Sequence, residues 1–356
     1  MHKELFIAIL GLLLLLLFRW AFRHLPHEKW QILAVIPRHK NDARRWSGLN
    51  LTYYGFFIAS AYTFALSILL VLLHTTGMDL IGVGFIMAAM PAICLPAARI
   101  IARIVEKQSD TLTVAGASFV GLLLLPWLVY LTNLTLGRWL DFHISLRIML
   151  AAVSTAYAFG EGIGRLACIS FGCCYGKPLD NCSNRIQSLF RRFHTVFSGP
   201  NKKAAYAGGL EEKPVIPIQA LTAMVCCLAG LAGAYLFLSG FFMTATLLTF
   251  TITQGWRLLS EMWRADYRGE LRFSPYQRMA VASLPYMLTV LWLTFSPNTQ
   301  PADIAHGLEV LWRPATIIGL QLLWVTVFLH TGRSRVTTAV LEFSVEKKHM
   351  GNRDLI

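Results

Sequence analysis

The chain has 356 residues, of which 55% are hydrophobic and 14% charged, with a formal net charge of +13 and a mean hydropathy of +0.53. Soluble domains carry about 25% charged residues, so the composition excludes a soluble enzyme and points to an integral membrane protein. Nucleic acid is a poor partner for the basic excess, because the Lys and Arg residues lie in short loops between apolar runs and no nucleic-acid motif accompanies them.

Apolar runs long enough to cross a bilayer, roughly 17–25 residues each, fall at 5–21, 51–74, 80–98, 112–131, 145–167, 217–238, 241–263, 276–295 and 314–329. They predict an all-α polytopic membrane protein with about nine transmembrane helices. The first run is flanked by Lys3, Arg19 and Arg23, but no small-x-small cleavage site follows before Pro26. We therefore expect a retained anchor helix rather than a cleaved signal peptide. Polar, basic stretches at 23–50, 177–213, 264–275 and 332–356 separate the spans, and only 177–213 is large enough for a small extramembrane cap. The organisation that follows has an anchor helix and basic loop over 1–50, a membrane core over 51–296 and an extra helix with a basic tail over 297–356. If the spans alternate sides, one face collects nearly all Lys and Arg, while the other holds little more than Lys3, Arg138 and Arg313. The positive-inside tendency makes the basic face cytoplasmic. Such a face also gathers anionic phospholipid, at about 1 kcal/mol per basic residue near the surface.

Three features carry chemistry. In the stretch 160–176, GEGIGRLACISFGCCYG, Glu161 and Arg165 stand four apart at the end of an apolar run. They share a helical face and partly neutralise each other, and charges at membrane depth mark functional sites. Glycines 160, 162, 164, 172 and 176 leave the backbone bare for close approach by a helix or a lipid headgroup. Four of the seven cysteines, Cys168, Cys173, Cys174 and Cys182, cluster here, and Cys94, Cys226 and Cys227 fall within spans as packing residues. The cysteine spacing matches no zinc pattern and adjacent Cys173 and Cys174 are awkward joint ligands, so no metal site is expected; a disulfide within the loop and plain structural thiols both stay open. In the stretch 253–269, TQGWRLLSEMWRADYRG, Arg257, Glu261 and Arg264 fall at i, i+4 and i+7 on one helical stripe. Two arginines around one glutamate predict a net positive site, the sign required to hold a phosphate.

These residues resemble the bacterial prolipoprotein diacylglyceryl transferase family. Gly164-Arg165-x-x-Cys168 with Gly172-Cys173-Cys174-Tyr175-Gly176-Lys177-Pro178 is similar to the family signature in a cysteine-containing variant. Tyr54-Gly55 resembles the opening of the family core, Ala97-Ala98-Arg99 its Gly-Ala-Arg, and Pro217-Ile218-Gln219 its Pro-Ser-Gln. Arg257-x3-Glu261-x2-Arg264 matches its Arg-x3-Glu-x2-Arg, and Gln277 fits the glutamine that starts the last core helix. The likeness covers roughly 51–295 and implies a seven-helix transferase-like core with one extra helix at each end. The departures are specific. Val120, in the stretch 118–121, occupies the position of the family histidine, and Cys168 and Cys173 replace the signature's asparagine and acidic residue. Thr253 replaces a tyrosine, and Leu221-Thr222 stands where the family has another.

The resemblance implies transfer of the diacylglyceryl group of phosphatidylglycerol to the lipobox cysteine of a prolipoprotein, at the bacterial inner membrane and without a cofactor. It implies catalytic roles for Arg165, Arg257 and Glu261, with Tyr54, Arg99, Gly164, Gly176, Arg264 and Gln277 binding substrate. With no histidine at the motif, Glu261 or Glu161 is the remaining base for the thiol. A family-derived protein that binds lipid or lipoprotein without catalysis is the alternative, and a membrane transporter the third reading.

Overall fold

The computed structural model describes residues 2–42, 44–107, 113–266, 273–295 and 302–344. The basic tail over 345–356, and Arg268 and Gly269 of the second charged stretch, lie outside the described residues. Among those described, nine helices of 18 residues or more occur: α1 (Lys3–His24), α2 (Tyr53–His74), α3 (Leu80–Glu106), α4 (Val114–Thr132), α5 (Leu146–Phe171), α6 (Ile218–Leu238), α7 (Phe242–Met262), α8 (Pro275–Leu293) and α9 (Pro314–Thr331). Six of them, α1 to α4, α6 and α9, are long and apolar enough to cross a membrane. The expected count of nine spans is not confirmed: among the described residues six helices qualify on length and composition. Of the other three, α5 and α7 carry Glu161, Arg165, Arg257 and Glu261, the residues that lower their apolar content.

Side-chain caps start several helices. Thr52 accepts from the Gly55 amide at the head of α2, Asp79 from Ile81 and Gly82 at α3, and Thr113 from Gly116 at α4. Ser274 and Gln277 form a reciprocal capping box at α8. Prolines inside α3, α4 and α8 are tolerated, as in bundles where neighbouring helices re-satisfy the freed carbonyls.

The centre of the bundle is α2, α5, α6 and α7, packed along one another in series. Small residues let the helices close: Gly162 of α5 lies against Ala223 and Cys227 of α6, and Gly230 and Gly233 of α6 lie against Phe159 and Thr155 of α5. Without a hydrophobic drive between helices in lipid, backbones approach only where side chains are this small. Around this centre α1 lies on α6, α9 on α2, and α3, α4 and α8 form a flank that closes on α7. Leu12, Leu13, Leu15 and Leu16 of α1 point outward, as lipid-facing residues do.

The chain is mostly helical, as expected of an all-α membrane protein, and a few strands are added to the helices. Strands β1 (Ile32–Lys40) and β2 (Arg45–Thr52) form a hairpin, β3 (Thr195–Val196) pairs with β4 (Pro214–Val215), and β5 (Arg333–Glu342) joins β2 to make a three-stranded antiparallel sheet in the order β1-β2-β5. The basic loop before the core and the chain after α9 therefore meet in one sheet. Gly55 and Gly332 permit this junction: a Cβ on Gly55 would stand 2.1 Å from the Gly332 Cα.

One end of the bundle collects the C-termini of α1, α5, α7 and α9 with the N-termini of α2, α6 and α8. The buried Lys202 stitches it, its Nζ donating to Leu25 O at 2.9 Å and Ser170 O at 2.6 Å. Burial lowers its amine to about 7, against a partial offset from Glu28. The opposite end is held by Lys3 Nζ donating to Ser239 Oγ at 2.9 Å and by Arg313 against His74 at 3.2 Å.

Candidate functional site

On α5, residues 157, 161 and 165 are one turn apart and align Tyr157, Glu161 and Arg165 on a single face. Arg165 Nη2 donates to Glu161 Oε1 at 2.7 Å, and the Tyr157 hydroxyl donates to Glu161 Oε2. Arg257 enters from α7 and donates to Glu161 Oε2 at 2.9 Å, to Tyr157, and to Ser118 Oγ of α4 at 2.8 Å. Glu161 and Arg257 are buried. Two arginines share one carboxylate, and three helices are locked by a single network.

Arg264 lies just beyond α7. Its guanidinium grips Asp266 bidentately, Nε to Oδ1 at 2.8 Å and Nη2 to Oδ2 at 2.7 Å, and reaches Glu261 at 3.4 Å. Although burial opposes its charge, Cys174, Asp266 and Glu261 together keep the guanidinium firmly cationic. Burial raises the Asp266 carboxyl to about 6, with Arg264 opposing. All three arginines act electrostatically on Glu261, so they gather in one region.

The expectation of a net positive stripe along α7 is corrected by these pairings. Arg257 turns away from Glu261 toward Glu161, and Asp266 adds a carboxylate to Arg264. Three arginines thus face Glu161, Glu261 and Asp266, a balanced set when all are ionised. Ser118, Tyr157 and Asp266 were not picked out from sequence. Tyr157 stood one turn before Glu161 and was within reach of the same helical argument. Ser118 is known only through tertiary packing, although it sits in the stretch 118–121 that also holds Val120.

The cysteine turn follows directly from α5. Gly172 caps the helix at φ +75°, its amide donating to Cys168 O at 2.8 Å and Ile169 O at 3.2 Å, and the Cys173 amide donates to Cys168 O at 3.1 Å. This pattern is a Schellman motif. Cys174 also adopts a left-handed backbone, φ +58°. Together they bring the sulfurs of Cys168, Cys173 and Cys174 within 4.8 Å of one another, all as thiols. The Cys168 and Cys173 thiols, with help from Arg264 and Arg165, hold Cys174 well below its ordinary range, and Cys173 is pushed well above it by the same sharing of protons. Gln219 anchors the turn, its Nε2 donating to Cys173 O at 2.9 Å. Backbone bonds from Lys177 to Trp263 O at 2.9 Å and from Ala265 to Tyr175 O at 3.1 Å then hold the turn against the end of α7.

The other expected substrate contacts divide. Tyr54 stacks edge-on to Phe171 with centroids 5.7 Å apart and interacts electrostatically with all three sulfurs. Gly176 is needed for close packing, since a Cβ there would stand 2.3 Å from the Ile216 carbonyl oxygen, and it bridges to Arg264. Gly164 has room, its nearest neighbour being Ala61 Cβ at 3.8 Å. The Gln277 side chain serves the α8 cap and donates to Leu258 O at 3.1 Å. Arg99 is exposed and reaches His330 of α9 at 3.5 Å, apart from the network.

A family model described as prolipoprotein diacylglyceryl transferase matches residues 43–296. No curated protein and no solved structure matches the chain.

Proposed function

This chain belongs to the prolipoprotein diacylglyceryl transferase family, and from that premise we propose that it moves the diacylglyceryl group of phosphatidylglycerol onto the lipobox cysteine of a prolipoprotein in the bacterial cytoplasmic membrane. The observation that carries the reading is that Arg165 and Arg257, both from family motifs, meet on Glu161 at 2.7 and 2.9 Å, while Arg264 of the same motif as Arg257 holds Asp266 at 2.7 Å and reaches Glu261 at 3.4 Å. The reaction has two needs. The leaving glycerol phosphate must be stabilised, and the acceptor must react as a thiolate. In our reading Arg165 and Arg257 exchange part of their hold on Glu161 for the phosphate, and Arg264 exchanges part of its hold on Asp266. Glu261, only weakly engaged at 3.4 Å, accepts the thiol proton. Tyr54 and the bare backbone at Gly164 border the headgroup; Gly176 shapes the turn, and Gln277 and Arg99 act on helix position.

A second reading has its own support. Every arginine of the site already has a carboxylate partner, and Val120 brings no titratable group. A member of the family that binds lipid or lipoprotein without turnover fits that balance. Purified protein given phosphatidylglycerol labelled in its acyl chains and a lipobox peptide decides between them. Transfer of label to the peptide cysteine is expected, with loss of at least tenfold in Arg257→Lys, whose point charge cannot replace the planar fork. Headgroup binding without transfer would establish the second reading.

A further inference from the structure

We propose that Cys168, Cys173 and Cys174 form a three-thiolate site for one zinc-type cation whose fourth position receives the acceptor thiol. The role in transfer rests on the reading above; the site itself does not.

Four observations converge. The sulfurs lie within 4.8 Å of one another, and a tetrahedral ion with bonds of about 2.3 Å requires about 3.8 Å between them. A contraction of about an ångström, within reach of side-chain rotation, completes the set. Second, the backbone is shaped for it. Adjacent residues of an extended chain point to opposite sides, but the left-handed Cys174 and the Schellman turn at Gly172 aim both neighbours back toward Cys168. A non-glycine residue in that conformation is uncommon and clusters at functional sites. Third, Gln219 is almost fully buried beside the turn, and its Oε1 accepts no hydrogen bond among the described residues. A buried acceptor without a donor is suited to a bound water or an incoming peptide amide. Fourth, three thiolates with a divalent cation carry one net negative charge, and Arg165 and Arg264 stand near enough to act on the Cys174 sulfur.

The site would supply what Val120 withholds. An acceptor thiol entering the fourth position gives its proton to Glu261, the base of the reading above, and binds as thiolate. Its sulfur then bonds to the glyceryl methylene as the bond from that carbon to the phosphate oxygen breaks. The electron pair leaves with glycerol phosphate, and the cation keeps its charge and oxidation state throughout.

The test uses full-length protein purified in detergent, reduced and without chelator. Elemental analysis is expected to find about one zinc per chain. Replacement by Co2+ should give the strong visible bands of a tetrahedral thiolate site, and a lipobox peptide should shift them whereas its cysteine-to-serine version should not. Cys173→Ser is expected to lose both metal and bands. Cys182→Ser, whose sulfur donates to Pro178 O at 3.3 Å outside the cluster, should keep them. If the serine variant fails to fold, the peptide-dependent cobalt shift on the unmodified protein still decides. Absence of metal, bands unchanged in Cys173→Ser, or a disulfide between these cysteines in place of an ion overturns the site. Metal with the peptide shift but no transferred label would instead overturn the transferase reading and leave the site standing.

Discussion

Glu161 compensates two arginines at once, so its charge governs both. Replacing it by glutamine keeps the shape but leaves Arg165 and Arg257 facing each other inside the bundle. Breaking a buried ion pair costs about 3–5 kcal/mol, and Glu161→Gln should show a loss of that size in detergent unfolding, against about 2 kcal/mol for Tyr157→Phe, which removes the hydroxyl's two hydrogen bonds, to Glu161 and from Arg257. Equal small losses would show that the network is wetter than its geometry suggests. Asp266 sets a second dependence. With its carboxyl near 6 against an ordinary value of 3.8, the folded chain takes up a proton that the unfolded chain does not until lower pH. Its ionised form is therefore the disfavoured one, and stability from this group rises as pH falls through about 6 toward 3.8. Protonation also releases Arg264 from its carboxylate, so binding of phosphatidylglycerol should tighten over the same fall. Asp266→Asn should bind tightly with no step at that pH, as fluorescence titration of a labelled lipid would report. The charged residues of α5 and α7 were legible in the sequence because helical spacing alone groups them. Which arginine takes which carboxylate was not, because it depends on how α7 is rotated against α5.

At the level of elements, glycine choice separates packing from access. A Cβ at position 162 would meet Cys227 Sγ at 2.5 Å and the Ala223 carbonyl oxygen at 3.0 Å, whereas at position 164 the nearest atom lies at 3.8 Å. Gly162→Val must force α6 off α5, a cost of about 1–3 kcal/mol for an overpacked core. Gly164→Ala should leave unfolding unchanged while trimming headgroup binding if lipid occupies that side; thermal unfolding and lipid titration on the same pair of variants separate the two effects. The long apolar helices were legible from run length. The β1-β2 hairpin was not, although its signals were present: apolar residues from Ile32 to Ile36, the turn formers Asn41 and Asp42, and Trp46, Leu49 and Leu51 beyond. The polar and basic character of the stretch made it read as loop. The partner that completes the sheet, β5, comes from nearly 300 residues later, a pairing that no local pattern announces.

For the whole molecule, the arginine network, the cysteine turn, both sheets and the folded 172–217 segment lie at one end of the bundle, and among the described residues that end carries most of the basic ones. The positive-inside tendency would make it cytoplasmic, but that rule counts short loops near span ends. Here the basic residues sit in folded units: Lys40, Arg45, Arg333 and Arg335 in the sheet, and Lys202 buried in the cap. The proposed transfer to an exported prolipoprotein would need the same end on the outer side. We side with the chemistry. In a background with reactive cysteines replaced, Ser188→Cys on the short helix Asn184–Phe190 should react with an impermeant maleimide in intact spheroplasts. Trp139→Cys, exposed at the opposite end, should react only after permeabilisation. Ser188 lies clear of the thiol cluster and Trp139 clear of the arginine network, so neither probe disturbs the site it reports on. The reverse pattern would put the arginines on the cytoplasmic side, where an exported lipobox never arrives, and the acceptor would then have to be a thiol supplied from within the cell.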